Sequence, residues 1–231
     1  MYNKLYLFIG LFILLVSLIS CAKSEDSSTS STSIFKAVGY SGTILSSPDG
    51  ITWTSSTWDS ENYGTSKNLS GITYGNSTFV AVGWYSTIIS SSDGTTWTER
   101  NSGKSWDLSG VAYGNSTFVV VGWKGTIFTS SDGTTWTSRT SGTTSALYDV
   151  VYGNSAFVAV GAGGTAISSS DGTSWGTETS GTTNTLNGVT YGNSIWVIVG
   201  EGGLIRSAVE EEMIERTSGT KNHLYRVIYK E

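Results

Sequence analysis

The chain has 231 residues with 29 Gly, one Pro and only 13% charged residues, while Trp and Tyr number 9 and 12. That mixture belongs to short strands and tight turns; it excludes a helical bundle, and the aromatic content excludes a disordered chain. A single Cys and a net charge of −5 exclude a disulfide framework and a thiolate metal site, and make nucleic acid an unsuitable partner.

In chain order, Lys4 precedes an apolar run of 15 residues, Leu5 to Ile19, shorter than the ~20 needed to cross a bilayer as a helix. Leu18-Ile19-Ser20-Cys21 resembles the lipobox of bacterial lipoproteins, which implies cleavage before Cys21 and lipid attachment to it. Residues 1–20 are then a lipoprotein signal peptide, and the mature chain keeps 12 basic residues against 18 acidic ones. Residues 21–32, rich in Ser, Thr and charge, read as a flexible tether from the lipidated Cys. The expected location is the bacterial cell envelope, periplasmic or surface-exposed, on a lipid-anchored monomer.

Residues 33–231 repeat. Tyr-Gly-Asn-Ser recurs at Tyr74, Tyr113, Tyr152 and Tyr191, every 39 residues. A Ser-x-Asp-Gly-x-x-Trp box recurs with its Asp and Trp at Asp49 and Trp53, Asp93 and Trp97, Asp132 and Trp136, and Asp171 and Trp175. A period near 40 with several strand-like runs is the mark of a propeller blade. In the third unit the strands are expected at Leu108 to Tyr113, Thr117 to Gly122, Thr126 to Ser130 and Thr135 to Ser138, joined by turns in which Asp-Gly is a strong hairpin signal.

The chain ends on Leu224 to Glu231, which matches only a first strand, and the repeat region begins at Ser33 in register with a second strand. Joined tail to head they complete a unit, giving units 224–231 plus 33–68, 69–107, 108–146, 147–185 and 186–223, of 44, 39, 39, 39 and 38 residues. The expected fold is therefore an all-β, five-bladed β-propeller of four-stranded blades, closed by joining the C-terminal strand to the N-terminal blade. The first unit carries extra residues between Ser55 and Lys67, and the fifth has Val209 to Met213 where its box should stand. Ile205 to Arg216 reads as a degraded outer hairpin, although Ile205, Val209 and Met213 also fall on one face of a short helix.

The box resembles the Asp-box, or BNR repeat, of sialidase-like and photosystem-assembly-factor-like propellers, shortened by one residue between Asp and Gly. In those families the box is structural, and the chemistry agrees: the Asp accepts turn N–H groups while the Trp packs between blades. Sialidase chemistry does not carry over. Arg100, Arg139, Arg206, Arg216 and Arg226 are the only arginines, the first two stand at equivalent repeat positions, and the family's Arg-Ile-Pro motif is missing. His223, the single His, reads as a solvated loop residue, and Glu210 to Glu212 as a solvated face. No catalytic residue, metal or cofactor is expected.

Residues that differ between repeats are freer of the fold's demands. On the rim shared by the second-to-third-strand loops and the interblade loops, Tyr40, Trp58, Trp84, Tyr85, Trp106, Trp123 and Lys124 concentrate on the first three units. They are the candidate ligand-binding residues. Aromatic faces beside polar groups suit a glycan or an envelope protein. The expected function is a lipid-anchored binding module, with a scaffold for other envelope proteins as the alternative and a sialidase-type glycan-processing enzyme behind both.

Overall fold

The computed structural model describes residues 35–58, 67–100, 102–103, 106–209 and 212–230; Cys21 and the expected tether lie outside them, as do Glu210 and Glu211. The fold is an all-β propeller of five antiparallel sheets. Blade 1 holds β1 (Phe35–Val38), β2 (Thr43–Ser47) and β3 (Thr54–Thr57), and blade 2 holds β4 (Leu69–Gly75), β5 (Thr78–Gly83), β6 (Ile88–Ser91) and β7 (Thr98–Arg100). Blade 3 is β8 (Leu108–Gly114), β9 (Thr117–Gly122), β10 (Ile127–Ser130) and β11 (Thr137–Arg139). Blade 4 is β12 (Leu147–Gly153), β13 (Ala156–Gly161), β14 (Ala166–Ser169) and β15 (Gly176–Glu178). Blade 5 is β16 (Leu186–Gly192), β17 (Ile195–Gly200), β18 (Ile205–Val209) and β19 (Glu212–Arg216), so Ile205 to Arg216 is a hairpin and not a helix.

The repeated residues explain the geometry. Asn115 and Ser116 both take left-handed φ values (44° and 55°) in the turn joining β8 to β9, the arrangement whose twist matches that of the strands it joins. Gly114 lies so close under the ring of Tyr152, one blade on, that a Cβ would overlap it; Gly75 meets Tyr113, Gly153 meets Tyr191 and Gly192 meets Tyr229 in the same way. Tyr-Gly is thus a contact between successive blades. The inner strands β4, β8, β12 and β16 lie side by side in that order.

Each box is a closed hydrogen-bonded turn. Asp132 Oδ1 accepts the Thr134 and Thr135 N–H groups at 2.7 and 2.9 Å, and Ser130 Oγ donates to it at 2.8 Å. Gly133, at φ 72°, gives the chain its left-handed step and donates its N–H to Ser130 Oγ at 2.8 Å. Asp49, Asp93 and Asp171 repeat the pattern. Turn N–H donors, with Thr173 Oγ1 leading at Asp171, hold all four carboxyls below the usual aspartate range. These groups are committed to the turn.

The core lies between blades. Trp97 packs with Ile44, Leu69, Ala81 and Ile89; Trp136 with Val80, Leu108, Phe118 and Phe128; and Trp175 with Val119, Ile127, Leu147 and Phe157. Between blades 4 and 5 the register puts Met213 where the tryptophans stand, beside Val160, Ala166, Leu186 and Ile198.

Blade 1 departs from the expected four strands. Among the described residues its sheet has three, and residues 224–230 form no strand and no recorded ladder with β1. The tail nevertheless occupies the place of a next inner strand on blade 5. Leu224 N–H bonds Gly200 O at 3.0 Å, as Leu69 N–H bonds Gly39 O at 2.9 Å, and Tyr229 covers Gly192. The facing apolar groups stay open: Phe35 is 53% exposed, Trp53 41% and Ile228 90%, whereas Phe118 and Phe157 are fully buried. Pairing of the tail with β1 would join distant segments of the chain, and such a closure carries more chain entropy than a local hairpin.

Candidate functional site

The axis of the propeller opens into a cavity built by a repeated irregularity. Each inner strand has a bulge after its first residue, where the pairing skips Ser70, Ser109, Tyr148 and Asn187 in turn. A bulge re-aims the extra side chain, and all four line one mouth of about 660 Å³, joined by Tyr225 of the tail. Tyr40, Trp84 and Trp123 form its rim, with Asp107 and Arg226 as charged members.

The rim loops are held by the last residue of their own unit, just before the next blade begins. Ser41 N–H donates to Asn68 Oδ1 at 2.9 Å, Tyr85 N–H to Asp107 Oδ1 at 2.8 Å, and Gly202 N–H to His223 Nδ1 at 3.1 Å. His223 therefore acts as a loop anchor. Thr43 and Thr87 hydroxyls bond the Tyr40 and Trp84 carbonyls at 2.7 Å each, fixing the aromatic residues that open each loop. Tyr40 stands edge-on to Trp84, with ring centroids 6.4 Å apart and planes at 80°. The aromatic surface is thus ordered before any ligand arrives, which lowers the entropy cost of binding.

One residue beyond the bulges, Gly71, Gly110, Asp149, Gly188 and Arg226 succeed one another from blade to blade. The Arg226 guanidinium pairs with the Asp149 carboxylate, whose other oxygen accepts the Val189 N–H at 3.1 Å. Three glycines keep this level of the funnel open, and the ion pair gives it polarity on one side. The other arginines face elsewhere: Arg100, Arg139 and Arg216 are tied by their Nε to Ser90, Thr129 and Ser207 on neighbouring strands, and Arg206 is buried on Gly181 O and Met213 O.

Of the candidates read from the sequence, Tyr40, Trp84 and Trp123 converge on the mouth. Lys124 and Trp106 form a separate rim pair, with Nζ 3.9 Å from the indole centroid, a cation–π distance. Tyr85 is exposed on its loop and does not line the cavity. Trp58 belongs to packing: its side chain lies half-buried against Ile44, Leu69 and Ile89, and its backbone N–H donates to Gly42 O at 2.9 Å. Ser70, Ser109, Tyr148, Asn187 and Tyr225 were not singled out from the sequence. Their signal was a variable position at a fixed register of the inner strand. A second groove of about 640 Å³ between Gly202 and Lys221 is lined by Gly, Ser and Thr together with Glu215, Arg216 and Lys221, and it has no aromatic side chain. Among the described residues no group of three His, Cys, Asp or Glu stands close enough to hold a metal ion.

No protein-family model and no curated protein sequence matches the chain. Solved structures do. The chain is similar to YCF48 bound to D1 peptide, with a TM-score of 0.64 and 18% identity over 81% of this chain and 64% of that one. It is also similar to YCF48 from Cyanidioschyzon merolae, with a TM-score of 0.54 and 15% identity over 70% of this chain and 59% of that one. The chain thus spans slightly under two thirds of each neighbour's length, and at these identities the likeness establishes the propeller fold.

Proposed function

We propose that this chain is a lipid-anchored envelope scaffold that holds an extended segment of another protein in the axial mouth. The observation that carries the reading is the convergence of Tyr40, Trp84, Trp123, Tyr148 and Tyr225 on one cavity beside Ser70, Ser109 and Asn187. Flat aromatic faces bind apolar side chains and proline rings with little loss of rotamer freedom, and hydroxyl and amide groups between them serve main-chain N–H and C=O groups. The likeness to a propeller whose structure holds a peptide supports a protein ligand over a sugar. The same aromatic faces can stack on sugar rings, which makes a glycan the competing ligand.

The envelope location rests on Leu18 to Cys21 and the apolar run before them; labelled fatty acid should be incorporated by the wild type and not by Cys21→Ser. The ring closes in this reading by pairing of the tail with β1, Val227 opposite Ala37, as Val111 stands opposite Val120 in blade 3. This reading assigns catalysis no part, and the box carboxylates are held by turn N–H groups. The function is tested by capture from envelope extracts with wild type and a Trp84→Ala/Trp123→Ala variant, beside a glycan array. A protein retained by the wild type alone is expected. Equal retention by both, or glycan binding without protein capture, would sink the scaffold reading.

A further inference from the structure

The repeat's own rule is broken between blades 4 and 5, and the break leaves a shaped cavity. In blade 3 the box sits on the blade before it: Gly133 lies against Thr78 and Val80 of blade 2 and Phe118 of its own blade. Gly172 of blade 4 lies in the same way against Thr117, Val119 and Phe157. The corresponding residues one blade further on are Ala156, Val158 and Trp196, and all three line a cavity of about 770 Å³. Blade 5 has no box to put there. In its outer strand pair Val209 stands opposite Glu212, and Met213 stands where Trp97, Trp136 and Trp175 stand.

Two further changes fit the same berth. Ala166, which lines the cavity, replaces the fully buried Ile88 and Ile127 of blades 2 and 3 and deepens it. Asn76 and Asn115 each donate their side-chain amide to a box carbonyl of the next blade, Ser131 O at 3.1 Å and Ser170 O at 3.3 Å. The equivalent Asn154 also lines the cavity, and among the described residues its side chain makes no such bond. An apolar wall, on which Met213 fills less space than an indole would, and an amide placed for a turn carbonyl are thus present together.

We propose that this cleft is a second binding site, which accepts a tryptophan-bearing turn of a partner polypeptide in the berth that the chain's own box occupies at the other interfaces. The identity of the occupant follows from the three occupied berths, each of which holds an indole packed between blades. Cavities lined by apolar side chains take up planar aromatic groups that match their shape. Glu178, whose carboxylate accepts the Ser168 hydroxyl at 2.5 Å, stands at the border and favours a partner turn without acidic residues near the indole. The site is independent of the axial mouth, so either reading survives failure of the other.

The test uses the full-length chain and a fluorescein-labelled peptide, Ser-Ser-Gly-Gly-Thr-Thr-Trp, with a copy ending in Ala as control. Fluorescence anisotropy should show saturable one-to-one binding of the Trp peptide only. Met213→Trp, which fills the berth from within, should weaken binding at least tenfold, and Ala166→Ile should act in the same direction. Asn154→Ala should weaken it less. The proposal is overturned if the wild type fails to bind the Trp peptide, or if neither Met213→Trp nor Ala166→Ile reduces binding.

Discussion

A reciprocal pair of substitutions asks whether the interface between blades 4 and 5 is under-filled. Ile127 and Ala166 occupy the same position in successive blades, opposite Val121 and Val160 in their ladders. Ile127 is fully buried among Val119, Val121, Leu147 and Phe157, which are themselves fully buried, so its surroundings have little freedom to collapse. Ile127→Ala should therefore cost about 3–4 kcal/mol, in the upper part of the range for buried Ile to Ala. Ala166→Ile adds three carbons beside an open cavity; at ~0.8 kcal/mol each, less ~1 kcal/mol of side-chain entropy, the expected gain is about 1–1.5 kcal/mol. Urea unfolding followed by tryptophan fluorescence measures both. A domain of this size shifts its Tm by about 2–4 °C per kcal/mol, so the two variants should move in opposite directions by roughly 6–16 °C and 2–6 °C. Destabilisation by Ala166→Ile of more than about 1 kcal/mol, the signature of an overpacked site, would refute the under-filled interface.

Other consequences are checked as directly. The depressed box carboxylates contribute stability that is fully present above the ordinary aspartate range and is lost as pH falls through their lower folded values; Tm should be flat above about pH 5 and drop below pH 4. A variant with Asp93, Asp132 and Asp171 all changed to Asn should be less stable at pH 7 and show a much shallower acid drop, and an unchanged drop would remove the boxes as its cause. Gly114→Ala places a Cβ inside the Tyr152 ring and should cost more than about 2 kcal/mol, with loss of cooperative unfolding as the extreme outcome; tolerance would mean the blades approach less closely. Asp149→Asn keeps a partner for the Val189 N–H yet loses the ion pair with half-exposed Arg226, so a loss below about 1 kcal/mol is expected by chemical denaturation. In an Ala37→Cys/Val227→Cys variant with Cys21 replaced, an oxidised cross-link should form and raise Tm; free thiols under oxidising conditions would argue against closure of the first blade by the tail.

The blades were legible in the sequence because strand register and repeat register coincide. Tyr-Gly-Asn-Ser and Asp-Gly mark turns whose backbone angles only a few residue types tolerate, and the strands of blade 3 fall within a few residues of their expected places. The degraded fifth hairpin was also legible, since Ile205 and Arg216 keep their repeat partners although the box between them is gone. The mouth was half legible. Tyr40, Trp84 and Trp123 announce themselves as aromatic residues in variable loops, but residue type does not reveal a face, so Trp58 in the packed interface looked the same as they did. The bulged ring of Ser70, Ser109, Tyr148, Asn187 and Tyr225 was hidden because a bulge reverses the alternation that would otherwise assign these residues a face. The pair of Asp149 with Arg226 depends on the tail lying near blade 4 across one inner strand, a relation that repeat spacing alone does not express.

The central claim is that the mouth holds a protein segment, and a photo-crosslinking residue at position 123 in living cells tests it most directly. The account predicts a cross-link to a defined envelope protein, greatly reduced by Tyr40→Ala/Trp84→Ala and absent when the same probe is placed at Thr134 on the opposite rim. Equal cross-linking from positions 123 and 134, or none from position 123, would contradict it.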